Sequence, residues 1–399
     1  MKKLLRIIAA ALCLALLAGT ALAEGFVNLG GEGYDCLYYK CSLPDGRFLL
    51  AGSKAEPGHY SDRHKARLLC MNPNGTVSWE YIDPEGQCAM FGQAVVSTDG
   101  MICVVYDDSP YQDTVAMSMK FFTLDGQPAG EAVPMDFSFG LEYWLTPQGL
   151  LTESYNWSAN RREYMEFTAW NGRTLFRRRG GLHIVFDPGT GVIAEEDGLV
   201  LYGRESASEG TAAKIMKVDY DGNTVWENVL PQEMDLGRAS IQACSRTQDG
   251  RYIGWVVESS GDNYTYWTVT LSAEGRELSR EETGMDNNDS IKAVNIDMMT
   301  ECQGKYVTME MDGDGVALER TYRFLWYDAE GKELGTTEVQ IRKEDFPQFK
   351  NGKDVCSFSG ALIPAGDCLW QLFDIWDETD DFEKTQGSYE EYMFRVPMP

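Results

Sequence analysis

Short apolar runs of three to five residues recur along the chain, each entered through a turn that ends in glycine. Phe48-Leu49-Leu50, Ile102-Cys103-Val104-Val105, Leu199-Val200-Leu201 and Tyr252-Ile253-Gly254-Trp255 all follow such turns. Runs this short, rich in β-branched and aromatic residues, predict strands rather than helices. The turns form a series: Pro44-Asp45-Gly46, Thr98-Asp99-Gly100, Pro147-Gln148-Gly149, Glu196-Asp197-Gly198, Gln248-Asp249-Gly250, Cys302-Gln303-Gly304 and Pro364-Ala365-Gly366. Successive glycines stand 54, 49, 49, 52, 54 and 62 residues apart. Glycine and aspartate suit hairpin tips because they accept backbone angles that cost other residues energy.

A second series runs out of phase with the first, at Asn74-Gly75, Asp125-Gly126, Asn171-Gly172, Asp221-Gly222, Glu274-Gly275 and Glu330-Gly331. Alternating or aromatic runs such as Lys214-Ile215-Met216-Lys217-Val218 and Tyr322-Arg323-Phe324-Leu325-Trp326 precede these turns. Two hairpins per repeat make four strands, and four-stranded units of about 50 residues describe propeller blades. A β-solenoid needs shorter repeats, and sandwich domains need about seven strands each. The expected fold is an all-β, seven-bladed β-propeller of four-stranded antiparallel blades. The blades fall roughly at 34–86, 87–134, 135–181, 182–235, 236–290, 291–347 and 348–399. The last repeat ends at Pro399, one strand short. The N-terminal segment 24–31 supplies the expected closing strand, because an open sheet edge invites pairing.

Residues 1–23 read as a secretory leader: Lys2, Lys3 and Arg6 precede an apolar stretch, and Ala21-Leu22-Ala23 gives a small-x-small cleavage pattern. Residues 24–399 are then one secreted domain, extracellular or periplasmic, with no membrane span expected. Three of the 35 basic residues and none of the 62 acidic ones lie in the leader, which leaves a net charge of −30. Such a field repels phosphate backbones, so nucleic acid is excluded as a partner. Nine cysteines remain, none in a Cys-x-x-Cys pair, and most lie in apolar strand contexts. The expectation is no disulfide framework and no zinc site.

After two turns of the second series a tryptophan stands four residues past the glycine, Trp79 after Gly75 and Trp226 after Gly222, and Phe176 holds that place after Gly172. Gly130, Ser279 and Gly335 replace it elsewhere. This pattern resembles the repeats of quinoprotein-like propellers of the pyrroloquinoline quinone type. The resemblance implies that the ring docks against the neighbouring blade. It does not extend to the cofactor site, because the vicinal cysteines of the large dehydrogenases are absent, so no cofactor is expected. The sialidase Asp-box places its tryptophan three residues after the glycine, and these turns do not match it.

Chemical motifs are sparse. The three histidines, His59, His64 and His183, form no helical metal or protease motif. Acidic strings at Asp312-Gly313-Asp314-Gly315, Asp286–Asp289 and Asp377–Glu383 lack EF-hand spacing and read as solvated loops, and no metal ligand is assigned. No nucleophile elbow, phosphate loop or dinucleotide fingerprint is present. The chain therefore reads as a binding or interaction module for an extracellular glycan, peptide or protein. The alternative is a propeller hydrolase or lyase acting on an extracellular polymer. The candidate ligand-binding residues come from loops between second and third strands and from one crossing between blades. They are Tyr60, His64, Tyr111, Trp157, His183, Tyr264 and Trp376, whose rings suit stacking on a sugar or a peptide side chain. No catalytic residue is assigned.

Overall fold

The computed structural model describes residues 25–30, 35–55, 64–84, 89–107, 117–135, 141–156, 161–179, 191–207, 210–231, 238–260, 263–282, 300–312, 320–346, 354–378 and 389–399. Residues 1–23, expected to form a leader, lie outside them. Among these residues the chain is all-β, apart from one 3-10 turn at Lys343–Asp345.

The strands are antiparallel meanders of four. After β1 (Phe26–Asn28), the first sheet holds β2 (Asp35–Ser42), β3 (Phe48–Ala55), β4 (His64–Met71) and β5 (Val77–Ile82). The second holds β6 (Met90–Val96), β7 (Ile102–Asp107), β8 (Met117–Phe122) and the short β9 (Val133–Met135). The third holds β10 (Leu141–Thr146), β11 (Gly149–Asn156), β12 (Arg161–Ala169) and β13 (Thr174–Arg179). The fourth holds β14 (Gly191–Glu195), β15 (Gly198–Ala207), β16 (Gly210–Asp219) and β17 (Thr224–Val229). The fifth holds β18 (Arg238–Arg246), β19 (Tyr252–Ser260), β20 (Asn263–Leu271) and β21 (Glu277–Glu282), joined to the fourth by a parallel bridge from Thr211 to Arg238. The sixth holds β22 (Thr300–Cys302), β23 (Lys305–Asp312), β24 (Arg320–Tyr327) and β25 (Glu333–Ile341). The last sheet holds β26 (Asp354–Ala365), β27 (Cys368–Glu378) and β28 (Tyr389–Arg395). Its fourth strand is β1, which pairs Phe26 with Phe394, Val27 with Met393 and Asn28 with Tyr392.

Side-chain alternation explains how the sheets pack. Successive residues of a strand point to opposite faces, so a strand apolar at every position must be covered on both. Phe48 to Ala51, Ile102 to Val105 and Tyr252 to Val256 are such runs, and all their side chains are buried. The fourth strands β5, β17 and β25 instead alternate between exposed and half-buried positions. Apolar clusters therefore form between neighbouring sheets. Leu49 and Leu68 meet Phe91 and Ile102 between the first and second. Leu151 and Phe167 meet Leu199 and Met216 between the third and fourth. Corresponding clusters join fourth to fifth, fifth to sixth, sixth to last, and last to first. Each such Leu or Phe contributes roughly 1.5–3 kcal/mol by leaving water. The first strands also touch: β2 contacts β6 and β26, β10 contacts β6 and β14, β14 contacts β18, and β22 contacts β26.

Four of the six second-series glycines answer to rings of the preceding sheet, while Gly331 meets Thr268 and Thr270. A Cβ on Gly126 would stand 2.6 Å from the Trp79 ring, one on Gly222 2.8 Å from Phe176, and one on Gly275 2.4 Å from Trp226. Trp370 in β27 approaches Gly75 in the same way, at 2.7 Å. The first series is less uniform than its sequence pattern. Gly149 and Gly198 do not need a left-handed backbone; a Cβ there would stand 2.3 Å from the Thr168 carbonyl oxygen and 2.1 Å from that of Val218.

Candidate functional site

Of the aromatic and histidine residues expected on one rim, Tyr60, Tyr111, Trp157 and His183 lie outside the described residues. His64 is not a loop residue. It opens β4 opposite Ala55, because the β3–β4 ladder runs to the end of both strands, and its side chain is 1% exposed. An imidazole so enclosed offers no stacking surface. Tyr264 is the second residue of β20, opposite Ser259, and is 44% exposed. Its neighbour Tyr266 is half-buried and packs against Trp255 with ring centroids 6.3 Å apart. Trp376 also stands within a strand, paired with Cys356 on one side and Tyr389 on the other. The hairpins are longer than their apolar runs, so several expected loop residues belong to ladders. Tyr264 and Trp376 belong to the fifth and last sheets, which share no apolar cluster among the described residues.

A different feature stands between the second and third sheets. No apolar cluster spans this junction among the described residues. One ring contact crosses it, Phe121 edge to face with Trp170 at 6.5 Å between centroids, together with polar joints: Gln93 donates from Nε2 to the Tyr143 carbonyl at 3.2 Å and accepts from the Leu145 N–H at 3.2 Å. Toward its outer side the junction holds a cleft of about 270 Å³. Met119, Val133, Pro134 and Met135 line it from the second sheet, with Thr152, Tyr164, Glu166, Thr168 and Thr174 on the third. Strand parity accounts for this lining. Met165 and Phe167 of β12 enter the cluster with the fourth sheet, so Tyr164, Glu166 and Thr168 take the opposite face. There the Glu166 carboxylate accepts from the hydroxyls of Thr168 and Thr174, each at 3.3 Å, and meets Arg177 Nε at 3.4 Å. The Arg177 guanidinium lies 3.8 Å from the centroid of the Tyr164 ring. Gly172 also lines the cleft, with no atom of the described residues within 4 Å of where its Cβ would stand.

A second polar group ties the fourth sheet to the fifth. The buried Glu195 carboxylate accepts from Lys217 Nζ at 2.7 Å and from the Tyr252 hydroxyl at 2.7 Å, and faces Arg246 Nε at 3.1 Å. Lys217 also reaches Asp197 at 2.6 Å. Burial works against the Lys217 ammonium, but its bonds to Asp197 and Glu195 outweigh burial and hold its pKa above the ordinary value. The Tyr220 hydroxyl donates to the Glu195 carbonyl at 2.7 Å, and burial followed by the charges of Asp197 and Glu195 pushes its pKa up to about 12. With its hydrogen-bonding capacity engaged by three side chains, Glu195 acts as a clamp between sheets. Among the described residues no group of three or more His, Cys, Asp or Glu side chains is placed to hold a metal ion. The string Asp286–Asp289, and most of the other two acidic strings, lie outside the described residues. No helix among those residues is long and apolar enough to cross a membrane.

Neither a protein-family model nor a curated protein matches the chain. Solved structures similar to it include a prolyl endopeptidase at 13% identity, with a TM-score of 0.49 over 92% of this chain and 51% of that one. Sqt1 from Chaetomium thermophilum is similar at 10% identity and a TM-score of 0.46, over 94% of this chain and 98% of that one. Drosophila Semaphorin 1b, extracellular domains 1-2, matches at 8% identity and a TM-score of 0.43, over 92% and 87%. The chain spans about half the length of the prolyl endopeptidase. Likeness this distant assigns no activity.

Proposed function

We propose that the chain is a secreted, seven-bladed β-propeller, closed by β1, that binds an extracellular glycan, peptide or protein through one loop-bearing face. The observation that carries this reading is the succession of sheet contacts. Neighbouring sheets share apolar clusters or polar joints, β2 touches both β6 and β26, and β1 completes the last sheet. In consecutive four-stranded meanders, every connection from second to third strand leaves the same side, together with every crossing to the next sheet. A rigid scaffold carrying many loops on one side is suited to binding, since loops vary while the sheets hold their positions. Tyr264, exposed beside one such connection, supplies a stacking surface there.

The test is a binding screen of the secreted protein against cell-wall glycans, host glycans and peptides, repeated on the Trp157→Ala, Trp376→Ala double variant. A ligand of this face should bind the variant at least about tenfold more weakly at unchanged melting temperature, since a central aromatic anchor contributes about 2 kcal/mol or more. Equal binding by the folded variant would remove these anchors from the site.

A further inference from the structure

The cleft between the second and third sheets lies where other junctions hold a ring. Trp79 covers Gly126 and donates from its indole nitrogen to the Leu124 carbonyl at 3.1 Å. Trp370 covers Gly75 and donates to the Pro73 carbonyl at 3.1 Å. Phe176 and Trp226 cover Gly222 and Gly275. In each case a flat ring from one sheet rests on the turn glycine of the next. In the second sheet Gly130 stands where that ring would be carried, and β9 is only three residues long. Gly172, which would receive the ring, meets nothing within 4 Å among the described residues.

We propose that this vacant slot is a binding site for the tryptophan side chain of a basic peptide. The slot is filled within the chain by indole at three other junctions, so its shape suits that group. A volume of about 270 Å³ lies at the small end of ligand pockets, enough for one flat side chain. Methionine and proline on one wall give an apolar, adaptable surface for the face of a ring. The Trp170 carbonyl holds the sequence position that Leu124 and Pro73 hold in the filled junctions, two residues before the glycine, and accepts the indole N–H. The Glu166 carboxylate in the lining is already paired with Arg177 at 3.4 Å, so the preference for lysine or arginine beside the tryptophan comes from the field of the whole chain, which carries −27 at neutral pH. This site lies toward the hairpin-turn end of the third sheet, away from the β11–β12 connection, and is independent of the loop-bearing face.

The probe is acetyl-Lys-Trp-Lys-amide carrying 5-fluorotryptophan, followed by fluorine NMR on the mature protein. We expect saturable broadening with a Kd on the order of a millimolar, as befits one side chain, and no displacement of the probe by acetyl-Lys-Ala-Lys-amide, which carries the charges without the ring. Thr174→Trp places a ring in the slot and should weaken the probe by at least about tenfold. Methyl-labelled methionine gives a second measurement that does not depend on that variant folding: Met119 and Met135 methyls, assigned through Met119→Leu and Met135→Leu, should show contacts to the bound indole protons. Absence of binding at ten times the expected Kd, or binding without those contacts, overturns the proposal. So does undiminished binding to folded Thr174→Trp.

Discussion

Replacing Gly275 by alanine tests whether the second-series glycines exist to receive rings. Gly275 has φ of 71°, where an L residue with a side chain is strained, and its new Cβ would stand 2.4 Å from Cζ3 and 2.8 Å from Cη2 of Trp226. The backbone strain costs about 1–2 kcal/mol, and alanine recovers about 0.4–1 kcal/mol by restricting the unfolded chain. Forcing the indole aside adds about 1–3 kcal/mol. Gly100 separates the two effects, because its φ is 76° and no atom of the described residues lies within 4 Å of its Cβ position. Gly100→Ala should therefore cost at most about 1–2 kcal/mol, and Gly275→Ala about 2–4 kcal/mol. Urea unfolding at constant m-value measures both. In a Trp226→Leu background the excess cost of Gly275→Ala should vanish, a coupling of about 1–3 kcal/mol. Equal costs for the two glycines, or the same Gly275→Ala cost in both backgrounds, would refute the ring-on-glycine reasoning.

Other outcomes follow from the same geometry. Glu195→Ala leaves Tyr252 and Lys217 short of their buried acceptor and should cost about 3 kcal/mol by urea unfolding; a loss below about 1 kcal/mol would mean the clamp contributes nothing net. Lys217 and Tyr220 both have folded pKa values above their unfolded ones, so their contribution is complete below about pH 10 and lost at higher pH, for Tyr220 as pH rises toward about 12. Tyr220→Phe should flatten the alkaline fall in stability by about one proton, and an unchanged slope would show that Tyr220 is not buried as described. Burial pushes the Cys70 thiol up to about 11 and that of Cys103 to about 12, and raises that of Cys244 as well, so none should react with an aromatic disulfide reagent at pH 8 until the protein unfolds. Mass spectrometry of the labelled peptides reads this directly. Removing residues 24–30 withdraws Phe26 from Phe346, Phe373 and Phe394, and the Leu29 carbonyl from Arg67. Stability should fall by about 3 kcal/mol or more, whereas an unchanged melting temperature would make β1 dispensable.

The candidate site was legible only in part. The chemistry of aromatic residues near the expected second-to-third connections marks them as candidates, but position matters as much: His64 is enclosed, and Trp376 belongs to a ladder. The cleft left two signals in the sequence. Gly130 interrupts the docking aromatic, and Glu166 and Thr168 alternate with Met165 and Phe167 in a strand whose counterpart β16 is buried from Ala212 to Val218. Read together, they mark a face whose neighbour does not seal it. Either alone is ordinary, since a polar residue in a strand more often faces water.

What the sequence determined by itself is local. Glycine and aspartate at fixed intervals set where hairpins turn, and short apolar runs set which strands are covered on both faces, because backbone angles and side-chain parity depend on near neighbours. The docking role of Trp79 and Trp226 was likewise visible, as large flat side chains on otherwise polar outer strands need a surface to lie against. The tertiary structure decided what each face meets. That Phe91 packs on Leu68 while Met119 borders a cleft depends on residues more than 20 positions apart, and no periodicity within one repeat records the shape of the next. Burial of His64, the ties of Glu195 to Tyr252, and the space that the described residues leave over Gly172 are all properties of two sheets brought together.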